Sequence, residues 1–180
     1  MNVHFSSDKH NWGTPQFFFD YLDEIFSFDL DPCAEESNAK CKDYYTIKED
    51  GLSKSWEGKR VFMNPPYGRE LPKWMKKASE EGIVVCLVPA RTDTAWFHDY
   101  VIPLASLVYF VKGRIRFEGA DHSAPFPSMV VIYGLGIKLE FGTLDLHLIR
   151  EYMSDDNIRF KRLLSGTELA NSNENDERED

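Results

Sequence analysis

Apolar residues recur at steps of three and four through Phe18, Tyr21, Leu22, Ile25 and Phe26, which predicts a helix with one apolar stripe ending near Ser27. Thr14 reads as its N-cap and Pro15 as its first helical residue, where the missing N–H costs nothing. Phe28-Asp29-Leu30-Asp31 predicts a short strand halted by Pro32. Polar positions then dominate from Ala34 to Trp56, with residues 44–47 as a weak β-rich run. Residues 60–63 run without interruption into Asn64-Pro65-Pro66-Tyr67-Gly68, the pattern of a buried parallel strand ending in a rigid turn. Residues 71–81 predict a helix, with Leu71, Trp74, Met75 and Ala78 on one face, Lys73, Lys76 and Lys77 on the other, and Gly82 closing it. The six apolar residues 83–88, stopped by Pro89, predict a central strand. A short helix through Trp96, Phe97 and Tyr100 and two β-rich runs at 107–111 and 129–133 follow. This alternation predicts an α/β domain on a mostly parallel sheet that ends in an antiparallel strand pair.

A chain of 180 residues with 42% apolar and 14% aromatic residues has the mass for one core without disulfides or a structural metal. The expected domain covers residues 10–150, followed by a charged extension at 151–180. The formal charge of -9 argues on its face against a nucleic-acid partner. That average is misleading, because residues 167–180 carry six acids against Arg178 and so hold -5 of it, leaving -4 for the rest. This polar tail is expected to be disordered. No run reaches the length of a membrane span and the first residues do not resemble a signal peptide, so the cytoplasm is the expected location and no membrane partner is expected. Cys33, Cys41 and Cys86 show no paired ligand spacing, so three free thiols and no metal are expected.

The turn after the 60–63 strand holds the chemistry, since ligands of open α/β sheets bind at the carboxyl ends of strands. Two prolines leave carbonyls outward and unpaired, Asn64 adds an acceptor oxygen, and Tyr67 adds an aromatic face. These groups suit a flat base bearing an amine. Such an amine is a poor nucleophile while its lone pair is delocalised into the ring. Hydrogen bonds from it to Asn64 Oδ1 and the Pro65 carbonyl would drive the nitrogen toward tetrahedral geometry and aim the lone pair at an electrophile. Read on its own, the Pro-Pro pair is also compatible with a stiff turn capped by Asn64.

Wider blocks carry a family resemblance. Trp12-Gly13-Thr14-Pro15, Asp29-Leu30-Asp31-Pro32-Cys33-Ala34 with Asn38-Ala39-Lys40, Asp50-Gly51-Leu52, Met63-Asn64-Pro65-Pro66-Tyr67, Pro89-Ala90-Arg91-Thr92-Asp93 and Gly113-Arg114-Ile115-Arg116-Phe117 occur in order over residues 12–133. The chain thereby resembles the phage-type DNA N6-adenine methyltransferases, which are Dam-like and use S-adenosylmethionine. The resemblance implies a Rossmann-like class I methyltransferase fold, with Asn64, Pro65, Pro66 and Tyr67 as the catalytic motif. It also implies that Thr14 and Pro15 border the methionine end of the cofactor, that Asp31 with Pro32 answers its ammonium, and that Asp50 holds its adenine amine. Asn38 is a candidate ribose partner. One departure stands out: no glycines follow the first strand, and the stretch to Asp50 is too short for the usual helix plus second strand.

Lys112, Arg114 and Arg116 interleave cations with apolar residues, and Arg91 follows the strongest strand at the same end of the sheet; all four are candidate DNA contacts. Residue by residue a solvated charged loop is the better account of them, and it is the family resemblance that favours DNA contact. Trp96 is a candidate wall for an extruded base or a core residue. By resemblance the substrate is adenine N6 in double-stranded DNA, within a short palindrome such as GATC, in a phage or prophage protecting its DNA from restriction; the enzyme would act as monomer or homodimer. Two alternatives remain open from the residues: a methyltransferase acting on RNA or on a protein glutamine, and a DNA-binding module whose cofactor site has decayed.

Overall fold

The computed structural model describes residues 12–155. The acidic stretch 167–180 lies outside the described residues. Helix α1 (Gln16–Phe26) is followed by strands β1 (Leu30–Asp31), β2 (Asp43–Tyr44) and β3 (Val61–Met63), helix α2 (Leu71–Glu80), strands β4 (Val84–Pro89), β5 (Leu107–Lys112), β6 (Ser128–Tyr133) and β7 (Glu140–Asp145), and helix α3 (Leu146–Ser154). The strands form one seven-stranded sheet in the order β2-β1-β3-β4-β6-β5-β7. All neighbours are parallel except β6, which runs antiparallel to both β4 and β5. The fold is therefore the expected Rossmann-like α/β sheet, with the antiparallel strand inserted between two parallel ones.

Side chains alternate between two cores, as a strand's period of two requires. Met63, Val84, Cys86 and Val88 face Trp74, Met75 and Ala78 of α2 together with Phe97 and Val101. Phe62, Val85 and Leu87 face Phe18, Phe19 and Leu22 of α1 together with Leu146 and Ile149 of α3. The central strand β4 is buried at every position, which is why its sequence is a continuous apolar run rather than an alternating one. The connection after β4 ends in a single π-helical turn, Phe97–Val101.

Helix boundaries depart from the sequence reading in two places. Pro15, not Thr14, occupies the N-cap of α1, and its carbonyl accepts from Phe18 and Phe19 N–H at 3.0 and 3.1 Å. The Thr14 hydroxyl instead accepts from the Asn64 amide, at the end of β3, as described below. α2 ends where Glu81 turns extended, at φ -95° and ψ -174°, without a left-handed Gly82. β7 and α3 have no counterpart in the sequence reading: β7 buries only Leu144, and α3 packs its Leu146 and Ile149 against the α1 side of the sheet. α3 runs through residue 150, with the Tyr152 hydroxyl donating to Glu24 at 3.1 Å.

β1 and β2 are parallel neighbours joined without a helix. Residues 35–39 instead form a tight turn in which Asn38 and Ala39 N–H both donate to the Glu35 carbonyl at 3.0 Å. The short connection read from the sequence is thus accommodated by replacing the crossover helix with a turn, and this turn faces the carboxyl ends of β1 and β3.

Candidate active site

Asn64 follows the last residue of β3, and its side chain has one forced orientation. Its amide nitrogen donates to the Trp12 carbonyl and, at 2.9 Å, to the Thr14 hydroxyl. A carbonyl cannot donate, so the nitrogen must face Trp12 and the oxygen must point the other way. That oxygen, Oδ1, is closed to water and has no hydrogen-bond partner among the described residues. Leaving a buried acceptor unmet costs about 1–3 kcal/mol, and such an acceptor in a native site calls for a donor. Pro65 is buried and Pro66 half-buried beside it. Tyr67 is held by its hydroxyl, which donates to the Leu87 carbonyl at 3.0 Å, and burial pushes that hydroxyl's pKa well above its usual range. Its ring meets Phe126 edge-on at 5.6 Å, while Trp12 lies 5.4 Å from Phe126 and 5.3 Å from Phe117.

Asp31 ends β1 and is 5% exposed. Its two oxygens accept from the backbone N–H groups of Cys33 and Lys40 at 3.4 and 3.2 Å. Burial pushes its carboxyl up from 3.8 to about 6, against the pull of those two N–H groups and of the Lys40 charge. It thus lies next to a cation without touching one. Burial, and then the Asp31 charge, also push the Cys33 thiol upward, so it stays protonated.

A trough with two ends runs between these residues. The narrow end, about 30 Å³, is lined by Gly13, Thr14, Asp31, Asn38, Lys40 and Asn64 among others. The wide end, about 570 Å³, is lined by Pro32, Thr46, Ile47, Asp50, Gly51 and Trp74 among others. Cys33, Ala34, Glu35 and Pro66 border both. The narrow end is charged and polar; the wide end carries Ile47, an isoleucine 95% exposed, and the aromatic Trp74. Asp50 sits at the wide end in a left-handed conformation, φ 53, and its side chain caps nothing. Gly51 explains the backbone approach there: a Cβ on it would lie 1.9 Å from the Pro32 carbonyl oxygen, so only glycine lets this turn meet the end of β1.

The structure brings Thr14, Asp31, Asn38, Asn64, Pro65 and Pro66 to the narrow end and Pro32 and Asp50 to the wide end. Pro15 lines neither and anchors α1. Asn38 has its Oδ1 committed to Glu35 N–H at 2.8 Å, which leaves its amide nitrogen. Arg91, Lys112, Arg114 and Arg116 lie outside the trough: Lys112 ends β5, and the three arginines sit in the loops that leave the carboxyl ends of β4 and β5. Within 113–117 the residues alternate, Arg114 and Arg116 exposed, Ile115 and Phe117 buried. Lys112 is ion-paired with Asp145 at 2.8 Å, and Arg116 Nε donates to the Ala120 carbonyl at 3.0 Å. Trp96 belongs to the core on the α2 side. Sequence reasoning missed Lys40, Ile47 and Trp74; Ile47 was read only as part of the weak β-rich run 44–47 and Trp74 only as part of the apolar face of α2. Among the described residues no group of histidine, cysteine and acidic side chains is placed to hold a metal, and no helix is long and apolar enough to cross a membrane.

Comparison with known proteins gives a consistent set. A family model described as DNA N-6-adenine-methyltransferase (Dam) matches residues 3–134. A protein named DNA N-6-adenine-methyltransferase from Haemophilus phage HP1 (strain HP1c1) is 37% identical over 139 residues, covering 71% of this chain and 80% of its own length. One of the same name from Escherichia phage T1 is 36% identical over 92 residues, 48% of this chain and 38% of the relative. Among solved structures, a predicted O-methyltransferase from Agrobacterium tumefaciens aligns over 61% of this chain and 50% of its own at 21% identity, with a TM-score of 0.33.

Proposed function

Because the chain belongs to the DNA N-6-adenine-methyltransferase (Dam) family, we propose that its trough binds S-adenosylmethionine and that Asn64 presents an extruded adenine to it. The observation that carries this reading is the orphaned Oδ1 of Asn64, an acceptor fixed in direction and lacking a donor. The residues fit the cofactor: a buried carboxylate without a touching cation suits an ammonium, and the wide end with Ile47, Trp74 and Asp50 suits an adenosine. When bound, S-adenosylmethionine supplies a sulfonium methyl group open to displacement.

In this reading Asn64 Oδ1 and the Pro65 carbonyl accept the two N–H bonds of the adenine amine, and Tyr67, locked by Leu87, stacks on the ring. Those two hydrogen bonds would draw the nitrogen lone pair out of conjugation and aim it at the sulfonium methyl that S-adenosylmethionine would supply, and the surplus proton would pass to water. Thr14 holds the Asn64 amide and borders the methionine end, Asp31 takes the ammonium, Asn38 donates to the ribose, and Asp50 accepts from the cofactor's adenine amine, while Pro15 acts only by anchoring α1 behind Thr14. No histidine is required. At about 30 Å³ the narrow end has room for about one water molecule. Ligand entry therefore widens it, and Trp12, whose ring packs on Phe126, lines that end. The base reaches it by flipping out of the duplex.

Arg114 and Arg116, exposed on one side of their loop, together with Arg91, contact the DNA backbone; Lys112 contributes less because Asp145 neutralises it. We assign a short palindrome such as GATC as the target, and protection of phage or prophage DNA from restriction in the cytoplasm of a bacterial host as the role. Incubating unmethylated plasmid with the protein and S-adenosylmethionine, then digesting with one nuclease blocked by GATC methylation and one that requires it, tests both site and reaction. Reciprocal protection and cleavage are expected. Unchanged digestion with methyl label in the DNA would exclude GATC alone; label in RNA or in protein glutamine instead would exclude the DNA reading.

A further inference from the structure

We propose that Lys40 is the counter-ion for the carboxylate at the methionine end of the methyl donor. This rests on the cofactor reading above and answers what that reading leaves open, namely what grips the carboxylate when no glycine-rich turn follows β1. The backbone donors of the replacement turn are largely in use. Cys33 and Lys40 N–H serve Asp31, Ala34 N–H serves the Tyr45 carbonyl, Glu35 N–H serves Asn38, and Asn38 and Ala39 N–H serve Glu35. Lys40 alone among the cations lines the narrow end, and its side chain is only 7% exposed.

Its ammonium has three donors. Glu118 Oε1 at 2.8 Å and Gln16 Oε1 at 3.0 Å take two, which fixes the nitrogen in place and leaves one N–H for a ligand. Lys40 donates its backbone N–H to Asp31, both residues line the same narrow cavity, and the Lys40 charge acts on the Asp31 carboxyl, so the two charges flank one space, as the ammonium and carboxylate of an α-amino acid require. Because Glu118 already pairs with the Lys40 ammonium, what Lys40 offers a ligand carboxylate is its third N–H, a charge-assisted hydrogen bond.

Calorimetric titration with two ligands tests this without turnover. S-adenosylhomocysteine carries the amino-acid end and 5′-methylthioadenosine lacks it. Lys40→Met should weaken S-adenosylhomocysteine at least ~10-fold and leave 5′-methylthioadenosine within about twofold of wild type. Lys40→Arg should restore most of the loss. Equal weakening of both ligands, or no change in either, overturns the assignment while the trough remains the cofactor site. Wild-type protein that binds neither ligand overturns the cofactor reading itself. Should Lys40→Met not fold, Lys40→Gln keeps a donor for Glu118 and carries the same comparison.

Discussion

Consider raising the pH of the protein from 5 to 7 while titrating it with S-adenosylhomocysteine. Burial holds the Asp31 carboxyl at about 6 instead of 3.8, and the ligand's ammonium is cationic throughout this range. Roughly one Asp31 in eleven is then ionised at pH 5 and ten in eleven at pH 7, so affinity should rise ~10-fold between them. Near pH 6 each binding event should release about half a proton, readable by calorimetry in two buffers of different ionisation enthalpy. Stability of the free protein should move the opposite way. A folded-state value above the unfolded one gives a contribution that is full below 3.8 and is lost as pH rises through about 6. The loss amounts to about 3 kcal/mol, since one unit corresponds to about 1.4 kcal/mol. Asp31→Asn should flatten both trends. Affinity that is level from pH 5 to 7, or that rises as pH falls, would refute the role given to Asp31.

Asn64→Ala should lower methyl transfer at least ~100-fold while S-adenosylhomocysteine affinity stays within about threefold, as rates and calorimetry will show. Gly51→Ala forces a Cβ to within 1.9 Å of the Pro32 carbonyl oxygen; the expected loss is about 3 kcal/mol, or roughly 6–12 °C in thermal melting. A melting point within two degrees of wild type would show that the Gly51 turn can move away. Arg114→Ala and Arg116→Ala should each reduce the salt slope of DNA binding by about 0.9, whereas Lys112→Ala should leave it nearly unchanged.

The parts of this fold that were readable from the chain are those where burial is two-sided or periodic. β4, with all six residues buried, left an unmistakable pattern; α1 was legible as a helix, but its inward face was placed only in part, since Phe18 and Leu22 are buried as read while Phe19 is buried in addition and Ile25 is 58% exposed. β7 left none, since an edge strand burying only Leu144 has no reason to alternate. The turn at 35–39 is invisible to periodicity because it is held by Asn38 and the Glu35 carbonyl rather than by apolar packing. At the site, Asn64 and Asp31 announced themselves by residue type at strand ends. Thr14 was misassigned because its capping chemistry is the same whether it serves a helix or, as here, an asparagine fifty residues away in sequence. Lys40 was missed for the same reason: a lysine in a polar stretch reads as solvated until the fold places Glu118 and Gln16 around it.

The central claim is that the free oxygen of Asn64 receives the target amine. It is tested most directly by a crystal structure of the protein with S-adenosylhomocysteine and a duplex carrying its target site. The account predicts an extruded adenine whose N6 lies ~2.8–3.2 Å from Asn64 Oδ1 and from the Pro65 carbonyl oxygen, with the Asn64 nitrogen still on Trp12. An adenine seated elsewhere, or an Asn64 oxygen facing a protein donor in that complex, would contradict it.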